Sequence, residues 1–96
     1  MLTGKQKRFL RAKANQLKPI FQVGKSGVNE NMLEQISEAL EKRELIKVSI
    51  LQNCMEDKNI VAEQLSQGSK ANIVQIIGNN IVLYKESEEN KQIKLP

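Results

Sequence analysis

The chain has no histidine, and Cys54 is its single cysteine. Without histidine it lacks the usual general base and metal ligand of neutral pH. A lone cysteine forms no intramolecular disulfide, and without an imidazole partner it is a poor nucleophile, so Cys54 reads as a small, half-buried apolar residue. The carboxylates are spread at helical spacing instead of being paired across a cleft. We therefore expect no catalytic residue, no metal site and no cofactor, and the chain is not read as an enzyme. Tryptophan is absent, and the aromatics are only Phe9, Phe21 and Tyr84. Binders that stack bases on exposed rings need more than this. Phe9 and Phe21 are expected in the core, which leaves backbone and shape as the features of a nucleic acid to be recognised. No apolar run approaches the roughly 18 residues of a membrane span, and no charged-then-apolar leader is visible. A cytoplasmic monomer without membrane association is expected, folded as one domain over residues 1–96.

The most informative absence is of acid. No Asp or Glu precedes Glu30, whereas Lys5, Lys7, Arg8, Arg11, Lys13, Lys18 and Lys25 all lie in that stretch. The net charge of +4 therefore conceals a basic front and an acidic remainder. Segregation of this kind is the footprint of a polyanion binder, although a solvated, solubilising face would look the same on charge alone.

Taken in order, Thr3 precedes a run of good helix formers. At 100° per residue Leu10, Ala14 and Leu17 share one narrow arc, with Phe9 to one side. Lys7, Arg11 and Lys18 form the adjoining stripe, flanked by Arg8 and Asn15, until Pro19 ends the helix. Residues Ile20 to Val23 read as a short strand. Asn29 is a candidate N-cap for a helix to about Lys42, with Met32, Leu33, Ile36 and Leu40 buried and Glu30, Glu34, Glu38 and Glu41 on another face. Residues Leu45 to Leu51 alternate as a strand, with Ile46, Val48 and Ile50 inward and Lys47 and Ser49 outward. A third helix, carrying Ile60, Val61 and Leu65, is bracketed by Glu56-Asp57 and Gly68. Ile73 to Ile77 and Ile81 to Lys85 form a hairpin about Gly78-Asn79-Asn80. From residue 86 the tail is polar and expected to be only partly ordered, with Ile93 and Leu95 able to dock. The order α-β-α-β-α-β-β predicts one small α/β domain with a mixed four-stranded sheet. Strands separated by helices are expected to pair in parallel.

Between the first strand and second helix lies Gly24-Lys25-Ser26-Gly27. Gly-Lys-Ser spells the end of a phosphate-binding Walker loop, but that motif needs a glycine where Pro19 stands, so the nucleotide-hydrolase reading fails. Gly-x-x-Gly in this position also occurs in the KH module, where it clamps the backbone of about four nucleotides. Free amides, a helix N-terminus and a lysine there would suit an RNA phosphate. By itself the pattern is weak and more often a simple tight turn. Beside a basic helix it favours RNA.

These residues together resemble a known family. Leu2-Thr3-x-Lys5-Gln6, Leu10-Arg11, Leu17-Lys18-Pro19, Val23-Gly24-Lys25-x-Gly27-Val28 and Glu44-Leu45-Ile46-Lys47 are similar to the bacterial YhbY-type proteins. These are stand-alone CRM domains (chloroplast RNA splicing and ribosome maturation). Ile77-Gly78, Val82-Leu83-Tyr84-Lys85 and Ile93-x-Leu95-Pro96 extend the likeness over nearly the whole chain. The resemblance implies a fold akin to the C-terminal domain of bacterial translation initiation factor three. It also implies association with ribosomal RNA in precursors of the large subunit. It carries the family's loop onto Gly24, Lys25, Ser26 and Gly27, and its basic helix surface onto Lys5, Lys7, Arg8, Arg11 and Lys18. Asn15 stands where many members have histidine. Its amide still donates and accepts, so a binding role survives there without a titrating one. From another class of function, the acidic second helix could instead hold a basic ribosomal protein.

Overall fold

Helix α1 spans Gly4–Ala14 and begins in a capping box. The Thr3 hydroxyl accepts from Gln6 N at 3.1 Å while Gln6 Oε1 accepts from Thr3 N at 3.0 Å, satisfying two amides that a helix start would leave orphaned. The computed structural model describes residues 2–96. After α1 come β1 (Phe21–Val23), α2 (Glu30–Arg43), β2 (Leu45–Ile50), α3 (Lys58–Ser69), β3 (Asn72–Ile77) and β4 (Asn80–Tyr84). The predicted order and the mixed four-stranded sheet are both present.

The sheet order is β1-β2-β4-β3, with β1 and β2 parallel and β4 antiparallel to both its neighbours. Parallel pairing across a helix therefore holds for β1 and β2 but not for β2 and β3, which the hairpin's return strand separates. The residues of β4 explain this. Ile81 and Leu83 face one layer while Val82 and Tyr84 face the other, and all four are buried. A strand apolar on both faces gains most at the centre of a sheet.

Two cores result. Helices α2 and α3 cover one face through Ile36, Leu40, Val61, Ala62 and Leu65, packed on Val23, Ile46, Val48, Ile81 and Leu83. Helix α1 covers the other face with Leu10 and Ala14 against Leu45, Val74, Val82 and Tyr84. Alternation along β2 leaves Lys47 and Ser49 on the α1 face, beside that helix instead of beneath it.

Three expectations shift. Helix α1 ends at Ala14, with Asn15 as its cap and a tighter turn through Gln16 and Leu17, so Leu17 lies outside the buried stripe and is 36% exposed. Ile60 is also exposed, because the buried arc of α3 runs through Val61, Ala62, Leu65 and Ser69. Gly68 lies inside α3, not past its end. A Cβ there would stand 2.4 Å from Leu33 Cδ1, so this glycine lets α2 and α3 approach. Gly68→Val is expected to cost about 1–3 kcal/mol by overpacking, read as a lower chemical-denaturation midpoint, and Leu33→Ala in the same chain should recover part of the loss.

The tail is held by more than its two apolar anchors. Ile93 and Leu95 do pack on the α1 core, but two glutamates of the α2 end also bind the chain between them. Glu44 is fully buried at the C-cap of α2, and its carboxylate accepts from the amides of Ser87 (2.8 Å), Gln92 (2.6 Å) and Ile93 (2.7 Å). Glu41 accepts from the Ser87 hydroxyl (2.6 Å) and from the amides of Glu88 (3.1 Å) and Glu89 (3.0 Å). Glu41 is thus not part of a free acidic face with Glu30, Glu34 and Glu38.

Candidate nucleic-acid interface

Gly24-Lys25-Ser26-Gly27 forms a single turn at the end of β1, closed by Gly27 N donating to Gly24 O at 3.0 Å. Lys25 and Ser26 are exposed at its tip. The two glycines serve different ends. Gly27 has φ +68 with open space around it, so a side chain there would be strained but not crowded. Gly24 lies against the β2–α3 connection, where an added Cβ would come 3.3 Å from Asn53 Oδ1 and 3.4 Å from Leu51 Cδ1. The turn does not run straight into the helix N-terminus. Val28 and Asn29 intervene, and Asn29 Oδ1 accepts from Met32 N at 2.9 Å, so part of the dipole end is already spent. Glu30 adds an acid in the first turn. A phosphate at this loop would thus meet the Lys25 ammonium and the exposed tip rather than a helix dipole.

The cations of α1 divide between its two flanks. On the helical wheel Lys7, Arg11 and Arg8 lie on one flank of the buried Leu10–Ala14 stripe, with Lys5 on the outer side. Lys13 lies on the other flank, its ammonium 5.5 Å from the centre of the Phe9 ring. Lys18 is not on the helix at all, since α1 has ended four residues earlier. It lines a groove of about 210 Å³ with Gln16, Leu17, Ile20, Arg43 and Lys47. A neighbouring groove of about 670 Å³ shares Gln16, Leu17 and Arg43 with it and adds Lys13 and Phe9. Four cations from α1, the α1–β1 connection, α2 and β2 therefore converge, with Leu17 and Ile20 partly exposed between them. Asn15 is exposed at the end of α1, next to this groove's Gln16.

Sequence reasoning missed Lys13, Arg43 and Lys47 in this role. Arg43 lies in the last turn of α2, where a cation complements the helix dipole, and Lys47 reads as the outward residue of a strand. Only the pairing of β1 with β2, and the docking of α1 beside Leu45, brings them to Lys18. None of the cations named here is paired with a carboxylate; among the described residues the ion pair is Lys91–Glu86, on the tail. Also among the described residues, no group of three or more Cys, Asp or Glu is placed to hold a metal ion, and no helix is long and apolar enough to cross a membrane.

Comparison with known proteins matches residues 2–85 to the family model CRS1 / YhbY (CRM) domain. The Bacillus subtilis protein named Probable RNA-binding protein YqeI is 75% identical over 96 residues, spanning 100% of both chains. A Haemophilus influenzae protein named RNA-binding protein is 41% identical over 95 residues, spanning 99% of this chain and 95% of that one. The solution structure of a Staphylococcus aureus protein, 58% identical, superposes with a TM-score of 0.83 over 100% of both chains.

Proposed function

This chain belongs to the CRS1 / YhbY (CRM) domain family, and we propose that it is an RNA-binding protein that assists assembly of the large ribosomal subunit. It works without catalysis, as a cytoplasmic monomer. RNA is gripped by its backbone, through the Gly24-Lys25-Ser26-Gly27 turn and through Lys5, Lys7, Arg8, Arg11, Asn15 and Lys18. The observation that carries the reading is the gathering of Lys13, Lys18, Arg43 and Lys47 around two adjoining grooves that share Arg43, with no carboxylate paired to any of them. Four cations brought together against their own repulsion, with no anion of this chain to neutralise them, suit a ligand that supplies the negative charge. The names of the relatives from Bacillus subtilis and Haemophilus influenzae support RNA as that ligand. The ribosomal setting rests on the family's resemblance, and the test is crosslinking in cells followed by sequencing of the bound RNA. Large-subunit precursor sequences should dominate. Recovery of unrelated transcripts only would sink the assembly role while sparing RNA binding.

A salt titration separates this electrostatic reading from a protein-binding one. With about four to six phosphate contacts, single-strand affinity should fall with a log–log salt slope of roughly −3 to −4. Arg43→Ala with Lys47→Ala should flatten that slope by about 1.4 and weaken binding evenly across sequences. Glu34→Gln with Glu38→Gln should leave affinity unchanged or slightly better. A large loss on that last change would point instead to a basic protein partner held by α2.

A further inference from the structure

A cleft of about 460 Å³ runs along the outer edge of β1, between that strand and the first turns of α2. Strand β1 is an edge of the sheet, paired only with β2, so this side of it is free. The lining is unlike the rest of the surface. It holds four carboxamide residues, Gln22, Asn29, Asn31 and Gln35, over apolar Ile20 and Met32, and it holds no charged residue in a chain that is 27% charged. Asn29 spends its oxygen on the α2 cap. Among the described residues, the side chains of Gln22, Asn31 and Gln35 make no hydrogen bond, and all three residues are exposed. Asn31 and Gln35 are four positions apart, so their carboxamides lie on one face of α2, one turn above the other.

We propose that this cleft takes an unpaired RNA base and gives the protein a sequence preference. The inference rests on the RNA-binding reading. A carboxamide offers a donor and an acceptor side by side, which matches the edge of a base and not a phosphate. Ile20, 42% exposed, and Met32 supply the apolar surface on which a flat base face can lie. The charges needed for the backbone stand just outside. Lys18 precedes Pro19, which lines one end of the cleft, and Lys25 lies in the turn that follows β1, beyond Gln22 of the lining. These two lysines are seven residues apart, at most about 25 Å along the chain. A strand whose phosphates rest on both lysines passes the carboxamides between them. Backbone affinity thus comes from the lysines and base discrimination from the cleft.

The test uses the full chain and single-stranded RNA octamers of A, C, U and mixed sequence, together with an abasic octamer that keeps the ribose and phosphates. Binding is followed by fluorescence anisotropy at fixed salt. The parent should bind its preferred octamer at least about fivefold more tightly than the abasic one, the lower end of what one good bidentate base contact supplies. Asn31→Ala with Gln35→Ala should remove that difference, keep the abasic affinity and leave the salt slope unchanged. Both positions are exposed, and a thermal melt checks that the variant folds. The proposal is overturned if the parent binds abasic and base-bearing RNA alike, if the double variant keeps the parent's discrimination, or if it loses affinity for the abasic octamer equally. A parent that binds no octamer overturns the RNA-binding reading itself, which distinguishes that failure from a failure of the cleft alone.

Discussion

Glu44→Ala is expected to lower the melting temperature by at least about 10 °C, the largest stability loss from any single side chain of the tail attachment. The Glu44 carboxylate is the acceptor for three tail amides, those of Ser87, Gln92 and Ile93, in a position with no exposure to solvent. A hydrogen bond to a charged group is worth about 1.5–3 kcal/mol, and an orphaned buried donor costs a similar amount. Removing the acceptor leaves two escapes: buried amides without partners, or a tail that undocks to reach water. Undocking exposes the apolar surface that Ile93 and Leu95 cover beside Leu10 and Ala14. Either way the loss is about 3 kcal/mol or more, and in a domain of this size each kcal/mol is worth about 4–8 °C.

Glu44→Gly isolates the side chain from the backbone. Glu44 has φ +65, an unfavourable conformation for any residue with a Cβ. Glycine relieves about 1 kcal/mol of that strain but supplies no carboxylate. The glycine variant should therefore sit between parent and alanine variant, with amide exchange at Ser87, Gln92 and Ile93 as fast as in the alanine chain. A glycine variant as stable as the parent would reduce Glu44 to a helix terminus.

The same attachment gives a pH dependence. Burial opposes ionisation of Glu44, but the amides of Ser87, Gln92 and Ile93, helped by the charge of Lys91, outweigh it and hold the carboxyl below its ordinary value. The Ser87 hydroxyl, then the amides of Glu88 and Glu89, lower Glu41 from 4.5 to about 2. Both folded values are depressed. Their stabilisation is thus fully present above the ordinary value of 4.5 and is lost as pH falls through each folded value, which for Glu41 is about 2. Acid should loosen the tail in that window, and Glu44→Gln should make the stability profile shallower there.

Where the fold was legible in the sequence, the signal was local. Thr3 with Gln6 marks the start of α1, Asn29 caps α2, and the alternation of Ile46, Val48 and Ile50 sets the inner face of β2. Illegible were the features that depend on a distant partner. Gly68 reads as a stop because glycine past a helix end is common, yet its neighbour is Leu33 on another helix. Glu41 reads as solvated because its partners, Ser87 to Asn90, lie more than 45 positions away. For the candidate site, Lys25 and the α1 cations are visible in the charge pattern. Arg43 and Lys47 are not, since a helix end and a strand face reach Lys18 only through the β1–β2 pairing.

Replacing Lys25 and Ser26 together by aspartate should lower RNA affinity by at least about tenfold, the largest functional loss expected from two substitutions. Both residues are exposed at the tip of a turn whose closing bond, Gly27 N to Gly24 O, is made by the main chain. Folding should therefore be unaffected, and the melting temperature should stay within a few degrees of the parent. The change removes one charge-assisted phosphate contact, worth roughly 1.5–3 kcal/mol, and adds two negative charges where a phosphate is to lie. Arg11→Ala with Lys18→Ala should act differently. It removes two cations without adding repulsion, so affinity should fall evenly across sequences and the salt slope should flatten by about 1.4. In the aspartate variant the repulsion should make affinity fall most at low salt, where charges are least screened. If that variant folds and binds RNA as tightly as the parent at low salt, the turn touches no phosphate. Binding would then rest on α1 and on the two adjoining grooves that hold Lys13, Lys18, Arg43 and Lys47.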